Sequence, residues 1–483
     1  MVFSSAVFLF LFLPFSLLGY YLLDKRFRNV FLLLISLLFY AWGEPKFVFV
    51  MIGSIFVNYV FALVIYALKE KKHAKPAKLV LIGNVLFNIS LFFIFKYLNF
   101  TMENINRVAS VLGIEHNIVH PFNIALPIGI SFFTFQALSY VFDVYNGKGK
   151  LQRNPLNLAL YIALFPQLIA GPIVRYQTVA DEIVSRRESL GDFKNGIKRF
   201  IIGLAKKTII ANTIAVAVDA AYLTLQTDKL TVGYSWLGAI AYSLQIYFDF
   251  SGYSDMAIGL GLMFGFHFLE NFEHPYMSKT VSEFWRRWHI SLGSWFRDYV
   301  YIPLGGSRVS KWRLVCNLFV VWILTGIWHG ANWTFIVWGA MYFLLLTIEK
   351  LTGIEKRIKN HALVSVIYRV FTLLCVICGW VMFRANSLND GMKYMKAMFG
   401  GAPNGFWSGM TGSMWEQYII ILIIAIIFCI DWKTIVPIKY FTYTDEMPTW
   451  MYFFKVIVYA VLAVVSVSFT VASTYNPFIY FNF

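Results

Sequence analysis

A chain of 483 residues that is 59% apolar and only 14% charged lacks the polar surface that a water-soluble protein of this length needs to cover its cores, which excludes the soluble classes. The net charge of +16 does not point to nucleic acid, because the basic residues cluster in short segments between apolar runs, such as Asp24-Lys25-Arg26-Phe27-Arg28 and Lys69-Glu70-Lys71-Lys72. Basic short loops mark the cytoplasmic side of a membrane protein.

Apolar stretches of about 20 residues, each enough to cross ~30 Å of hydrocarbon, recur from end to end. No polar block is long enough for a separate soluble domain, so 1–483 reads as one membrane-embedded domain. Residues 3–23 have neither a basic segment before the apolar run nor a small-residue cleavage site after it, and read as a retained first span. Further spans follow near 29–42, 46–68 and 78–98. The loops after the first and third are basic and lie on one side, which places them in the cytoplasm and the N-terminus outside. The 99–122 connection, with Glu103, Asn104, Glu115, His116 and Asn117, then falls outside.

Beyond residue 123, Pro127-Ile-Gly-Ile-Ser-Phe-Phe-Thr-Phe-Gln136 and Phe165-Pro166-Gln167 with Gly171-Pro172 set breakers inside apolar sequence. Such breaks are tolerated where protein buries the backbone or where it lines a wet cavity, so re-entrant or broken helices around a central cavity are expected. Spans within 198–225, 233–265, 314–346, 363–384, 417–437 and 450–475 bring the total to ten or eleven. The fold class is an all-α polytopic membrane protein. Cys316, Cys375, Cys378 and Cys429 lie in or beside apolar spans without basic activation, and carry no redox or metal role.

Two segments carry the chemistry. In 282–298, a helical wheel gathers Phe284, Trp285, Trp288, Leu292, Trp295 and Phe296 on one side and Glu283, Arg286, Arg287, Arg297 and Asp298 on the other. That predicts one amphipathic helix at the cytoplasmic membrane boundary, with His289 at the edge of its apolar stripe. His329 lies near the middle of the apolar run 314–346, flanked by Gly326 and Gly330, with Thr325 and Asn332 nearby. An intramembrane histidine is costly and faces a bundle interior or a wet cavity, as a catalytic group or as a hydrogen-bonding link between helices. Asp249 and Asp255 are acids in an apolar span, expected to form buried polar pairs around a kink at Gly252. The remaining histidines stand near loops or span ends. No metal-binding or phosphate-binding motif is present, and Gly305-Gly306-Ser307-Arg308 reads as a turn.

Glu283-Phe-Trp-Arg-Arg-Trp-His289, Phe296-Arg-Asp-Tyr-Val-Tyr-Ile-Pro-Leu-Gly-Gly306 and Gly326-Ile-Trp-His-Gly-Ala331 resemble the signatures of the membrane-bound O-acyltransferase family. Within it the chain is similar to the alginate O-acetylation membrane-subunit branch. The resemblance implies a helical bundle with a central funnel, His329 as the catalytic histidine and His289 as the second active-site histidine. Trp328, Asn332 and Asp249 are expected to line the site. It also implies an acetyl-CoA or acylated carrier-protein donor, no tightly bound cofactor, and no metal. The implied partner is an extracytoplasmic SGNH-hydrolase-like acetyltransferase subunit that completes transfer to a polysaccharide, and the implied location is the bacterial cytoplasmic membrane. Peptidoglycan O-acetylation and D-alanyl transfer are the related alternatives. A proton-coupled transporter or flippase, with His329 and the acids as a relay, is the alternative from another class.

Overall fold

The computed structural model describes residues 1–114, 117–122, 124–432, 449–472, 475–476 and 479. Among them, eight helices are long and apolar enough to cross a membrane: Phe47–Glu70, Ala74–Val111, Leu190–Gln226, Lys311–His329, Trp333–Thr352, Ala362–Arg384, Gly409–Cys429 and Trp450–Ala472. Two shorter apolar helices, Phe8–Leu22 and Arg28–Gly43, precede them. The long helix Val232–Met263 is buried within the bundle, and the ten or eleven spans expected compare with the eight helices that meet the length and hydropathy of a span among the described residues. The chain is an all-α, multi-pass membrane protein. The first part of the 99–122 connection is helical, because the fourth span runs on to Val111. Glu115 and His116 of that connection, and the ends of the spans read at 417–437 and 450–475, lie outside the described residues.

Val232–Met263 is the axis of the bundle, with nearly every side chain buried. Along it lies Leu190–Gln226, and the crossing is closed by two pairs of glycines two helical turns apart. A Cβ on Gly203 would stand 2.5 Å from the Gly252 carbonyl oxygen, and one on Gly196 would stand 2.5 Å from that of Gly259. The kink expected at Gly252 is therefore corrected. The helix continues through it, and the missing side chain serves close approach of two backbones. The same pair of helices is cross-linked by ion pairs. Asp255 meets Arg199 at 2.7 Å and Lys206 at 2.6 Å, while Asp249 meets Lys207 at 2.6 Å. This is the buried pairing expected of intramembrane acids.

The breakers between 127 and 172 behave as anticipated. The end of the short helix Pro155–Ala163 and all of Phe165–Leu168 sit in a stretch, 160–174, that is buried without interruption. Its interrupted backbone is therefore covered by protein. Gly129, at φ +77°, begins the helix Ile130–Asn146 so close to this stretch that a Cβ would lie 2.7 Å from the Leu168 oxygen.

Two predictions follow from this packing. Gly203→Val should separate the two central helices and lower stability by about 1–3 kcal/mol, the usual cost of overpacking, seen as a lower melting temperature in detergent. At the rim, the His267 ring lies 2.7 Å from Glu182 and 3.6 Å from Asp192. Burial alone would lower its pKa, but the two carboxylates raise it above the ordinary 6.5. The folded state thus favours the protonated ring, and its stabilisation is complete below 6.5 and lost as pH rises through the raised value. The melting-temperature advantage of wild type over His267→Gln should shrink as pH climbs above 6.5; an advantage independent of pH would contradict this.

Candidate active site

His329 is the last residue of the helix Lys311–His329. The chain then reverses through Gly330, Ala331 and Asn332 into Trp333–Thr352. The Asn332 side chain caps the new helix, accepting from the Thr334 N–H at 3.1 Å. The two helices pack so tightly that a Cβ on Gly326 would lie 2.5 Å from the Phe335 oxygen, and one on Gly339 would lie 2.5 Å from the Trp322 oxygen. The apolar run 314–346 is thus an antiparallel helix pair, which corrects the placement of His329 at the middle of one span. The ring stands at the helix end, 5% exposed, packed edge-on against Trp338 and Phe383, each with its centroid 5.1 Å away.

A helix ending inside a protein leaves carbonyls without partners. Here they are served by two consecutive residues of another span. Lys96 Nζ donates to the carbonyls of Trp328 at 2.7 Å and His329 at 2.9 Å. The Tyr97 hydroxyl, with one proton, sits within bonding distance of the carbonyls of Ile327 and Gly330, the latter at 2.8 Å. Both belong to a π-helical turn, Phe93–Tyr97, a local widening of the kind often found beside functional sites. Sequence reasoning passed over Lys96. Its one signal was a lone cation inside an otherwise apolar run.

His289 is held differently. The amphipathic helix read across 282–298 is in fact two short helices, Val281–Arg287 and Ile290–Phe296. Between them Trp288 is extended and His289 has a left-handed backbone, φ +46° and ψ +53°, uncommon for a residue with a side chain. The break has a tertiary cause. Trp288 forms a β-bridge with Phe272, the Ile290 N–H donates to the Asn271 carbonyl at 3.0 Å, and the Asn271 side chain accepts from the Ser291 N–H and hydroxyl at 3.2 and 2.9 Å. The first short helix is capped by buried Glu349, which accepts from the N–H groups of Val281 and Ser282 at 2.7 and 2.8 Å.

Consequently Phe284, Trp288, Leu292, Trp295 and Phe296 are buried in the protein rather than set among lipid headgroups. Trp285 packs on Trp322, Trp338 and Tyr342 at 4.9–5.4 Å. The polar side of the wheel remains at the surface, with Arg286 paired to Glu355 and Arg287 to Glu283. His289 itself is 1% exposed, not at a stripe edge.

The two histidines, forty residues apart in sequence, meet around Trp328, whose ring centroid lies 5.9 Å from His289 and 5.0 Å from His329. Phe250 closes over His289 at 4.6 Å. Both ring nitrogens of His289, Nδ1 of His329 and the Trp328 indole N–H are buried without a hydrogen-bond partner in the protein, an arrangement that costs stability.

Open space adjoins this cluster. A cavity with about 480 Å³ of empty volume, counted out to solvent, is bounded by Lys96, Pro127, Gly129, Ser131, Trp328 and His329. A neighbouring one of about 750 Å³ shares Lys96 and reaches Gly330, Ala331 and Asn332. A third, of about 340 Å³, reaches Ile290 and Ser291, next to His289, and is edged by Arg175 and Glu270. Of the expected site residues, His329, His289 and Trp328 thus come together, and Asn332 stands at the adjoining cavity. Asp249 does not join them. It is bound to Lys207 and to the N–H of Ile479, at 2.9 Å. Among the described residues, no three His, Cys, Asp or Glu side chains stand close enough to hold a metal ion.

The model of the membrane-bound O-acyltransferase family matches residues 153–354, a segment that contains both histidines. The chain is 46% identical to a probable alginate O-acetylase of Pseudomonas syringae pv. tomato over 399 residues, covering 83% of this chain and 75% of that protein. The chain belongs to the membrane-bound O-acyltransferase family. It is also 34% identical to a peptidoglycan O-acetyltransferase of Helicobacter pylori over 83% of its length and 80% of the relative's. A teichoic acid D-alanyltransferase of Bacillus subtilis is 30% identical over 54% of this chain and 70% of its own. The protein is an O-acyltransferase, and its site is read as such below.

If the acyltransferase depends on the broken helix at His289, loosening the break should impair it. Asn271→Ala removes the side-chain acceptor for Ser291 and should cost about 1 kcal/mol of stability, as a lost helix cap does. Acyl transfer per chain should fall by a larger factor than the melting temperature alone explains, measured in the same detergent-solubilised or membrane preparation. Unchanged transfer would detach the break from function.

Proposed function

We propose that this acyltransferase moves acetyl groups from a cytoplasmic thioester toward O-acetylation of an extracytoplasmic polysaccharide. His329 is the general base and His289 the supporting histidine. The observation that carries the reading is the two imidazoles, buried around one tryptophan, with a cavity bounded by His329 and Trp328. A hydroxyl is a weak nucleophile. A neutral imidazole at His329 takes its proton as the oxygen attacks the thioester carbonyl, the carbon–sulfur bond breaks, and the departing sulfur takes up a proton to leave as a thiol. The aromatic walls hold water away, which strengthens any hydrogen bond to the developing oxyanion.

Acetyl-CoA is the favoured donor, with an acylated carrier protein as the second. An SGNH-hydrolase-like subunit outside the bacterial cytoplasmic membrane would complete transfer to the polymer. An alginate-like acceptor is favoured because identity is higher to the alginate O-acetylases than to the peptidoglycan and teichoic acid enzymes. Peptidoglycan acetylation is the second reading, supported by a relative matched over the same 83% of the chain.

The test is alkali-releasable acetyl on cell polymers, normalised to the amount of this chain in the membrane. His329→Ala should reduce it by at least about 100-fold, the low end of what a general base contributes. His289→Ala should cause a severe loss with residual turnover. Normal acetylation in His329→Ala at normal protein level would sink the assignment.

A further inference from the structure

We propose that Lys96 is the positioning residue for His329, setting the imidazole for reaction through the backbone of the turn that carries it. This rests on the reading of His329 as the general base. Lys96 belongs to a span remote in sequence from the histidine, yet its ammonium donates to the carbonyls of Trp328 and His329 at 2.7 and 2.9 Å and stands 3.4 Å from the Ser131 hydroxyl. The two carbonyls are those of the catalytic residue and of the tryptophan between the two rings. Holding both fixes the direction in which the His329 Cα–Cβ bond leaves the helix.

Three features set this contact apart from an ordinary helix cap. The donor is a primary amine that serves two carbonyls at once, and it lies at the negative end of the helix dipole, where positive charge on it interacts most favourably. It lines both the cavity at the His329 ring and the adjoining one at Asn332. The ring it steadies has no hydrogen bond of its own at Nδ1, so no side-chain partner orients the imidazole there as a carboxylate would in a catalytic triad. Orientation must come from the backbone below the ring and from the aromatic walls of Trp338 and Phe383. Tyr97 shares the cap but touches only the flanking carbonyls, of Ile327 and Gly330. It is therefore a control for capping without the ammonium.

The experiment compares Lys96→Met, Lys96→Arg, Tyr97→Phe and His329→Ala in cells. It measures polymer-bound acetyl per chain in the membrane and the melting temperature of each purified variant. Lys96→Met should lose roughly 100-fold in acetyl per chain, the effect of misplacing a reacting group by about 1 Å, while its melting temperature stays near that of Tyr97→Phe. Lys96→Arg should recover a large part of the activity, because the cation and its donors remain. Tyr97→Phe should keep most of the transfer.

The proposal fails if Lys96→Met transfers normally. It also fails if its loss matches that of Tyr97→Phe at equal loss of stability, if Lys96→Arg is no better than Lys96→Met, or if Lys96→Met never accumulates in the membrane, which would assign the residue to folding. Transfer surviving in His329→Ala would overturn the general-base reading instead. A dead His329→Ala beside an active Lys96→Met would overturn this proposal alone.

Discussion

Backbone hydrogen bonds released where helices stop inside the bundle are the constraint on which the site depends. A helix that ends in water is capped by solvent; one that ends against protein must find donors and acceptors on its neighbours. Each segment bearing one of the two buried histidines ends in this way. Lys96 and Tyr97 meet the carbonyls after Gly326, Glu349 meets the N–H groups that open the helix before His289, and Asn271 meets those that open the helix after it. The helices could have run through these points. Stopping them there points two imidazoles at one place.

What surrounds that place is aromatic. Trp285, Trp288, Trp322, Trp338, Trp380, Tyr342 and Phe383 pack with neighbouring centroids 4.8–5.5 Å apart, largely edge to face, the arrangement their quadrupoles favour. Such walls are rigid and exclude water. A polar group left unpaired among them is costly, and the wall holds several: the His289 nitrogens, His329 Nδ1, the indole N–H groups of Trp285, Trp328 and Trp338, and the Tyr342 hydroxyl. Stability foregone there is consistent with a site built to receive a reactant.

The scaffold that tolerates this cost is the close crossing of Leu190–Gln226 with Val232–Met263. Without a hydrophobic drive between helices in lipid, small residues and polar cross-links supply the association. The glycine pairs Gly196–Gly259 and Gly203–Gly252 bring the backbones together, and the pairs of Asp249 and Asp255 with lysine and arginine hold the register. Asp249, expected near the reacting groups, works here instead. An acid in an apolar segment says that a partner exists, but not which one.

Composition and pattern alone determined that the chain is helical and membrane-embedded, where most spans run, that the breakers near 127 and 172 must be covered by protein or line a wet cavity, and that His289 and His329 stand out chemically. These are legible because hydropathy, helix periodicity and the cost of a buried imidazole are local properties. The tertiary structure decided that 282–298 is broken at His289, because the acceptors that break it belong to Asn271 and Phe272. It decided that 314–346 folds back on itself at His329, because close packing across Gly326 and Gly339 outweighs a continuous helix. It also drew in Lys96, more than two hundred residues earlier. Where a helix stops inside a bundle depends on which neighbour can satisfy its freed backbone groups, and that is settled by packing in three dimensions rather than by the residues on either side.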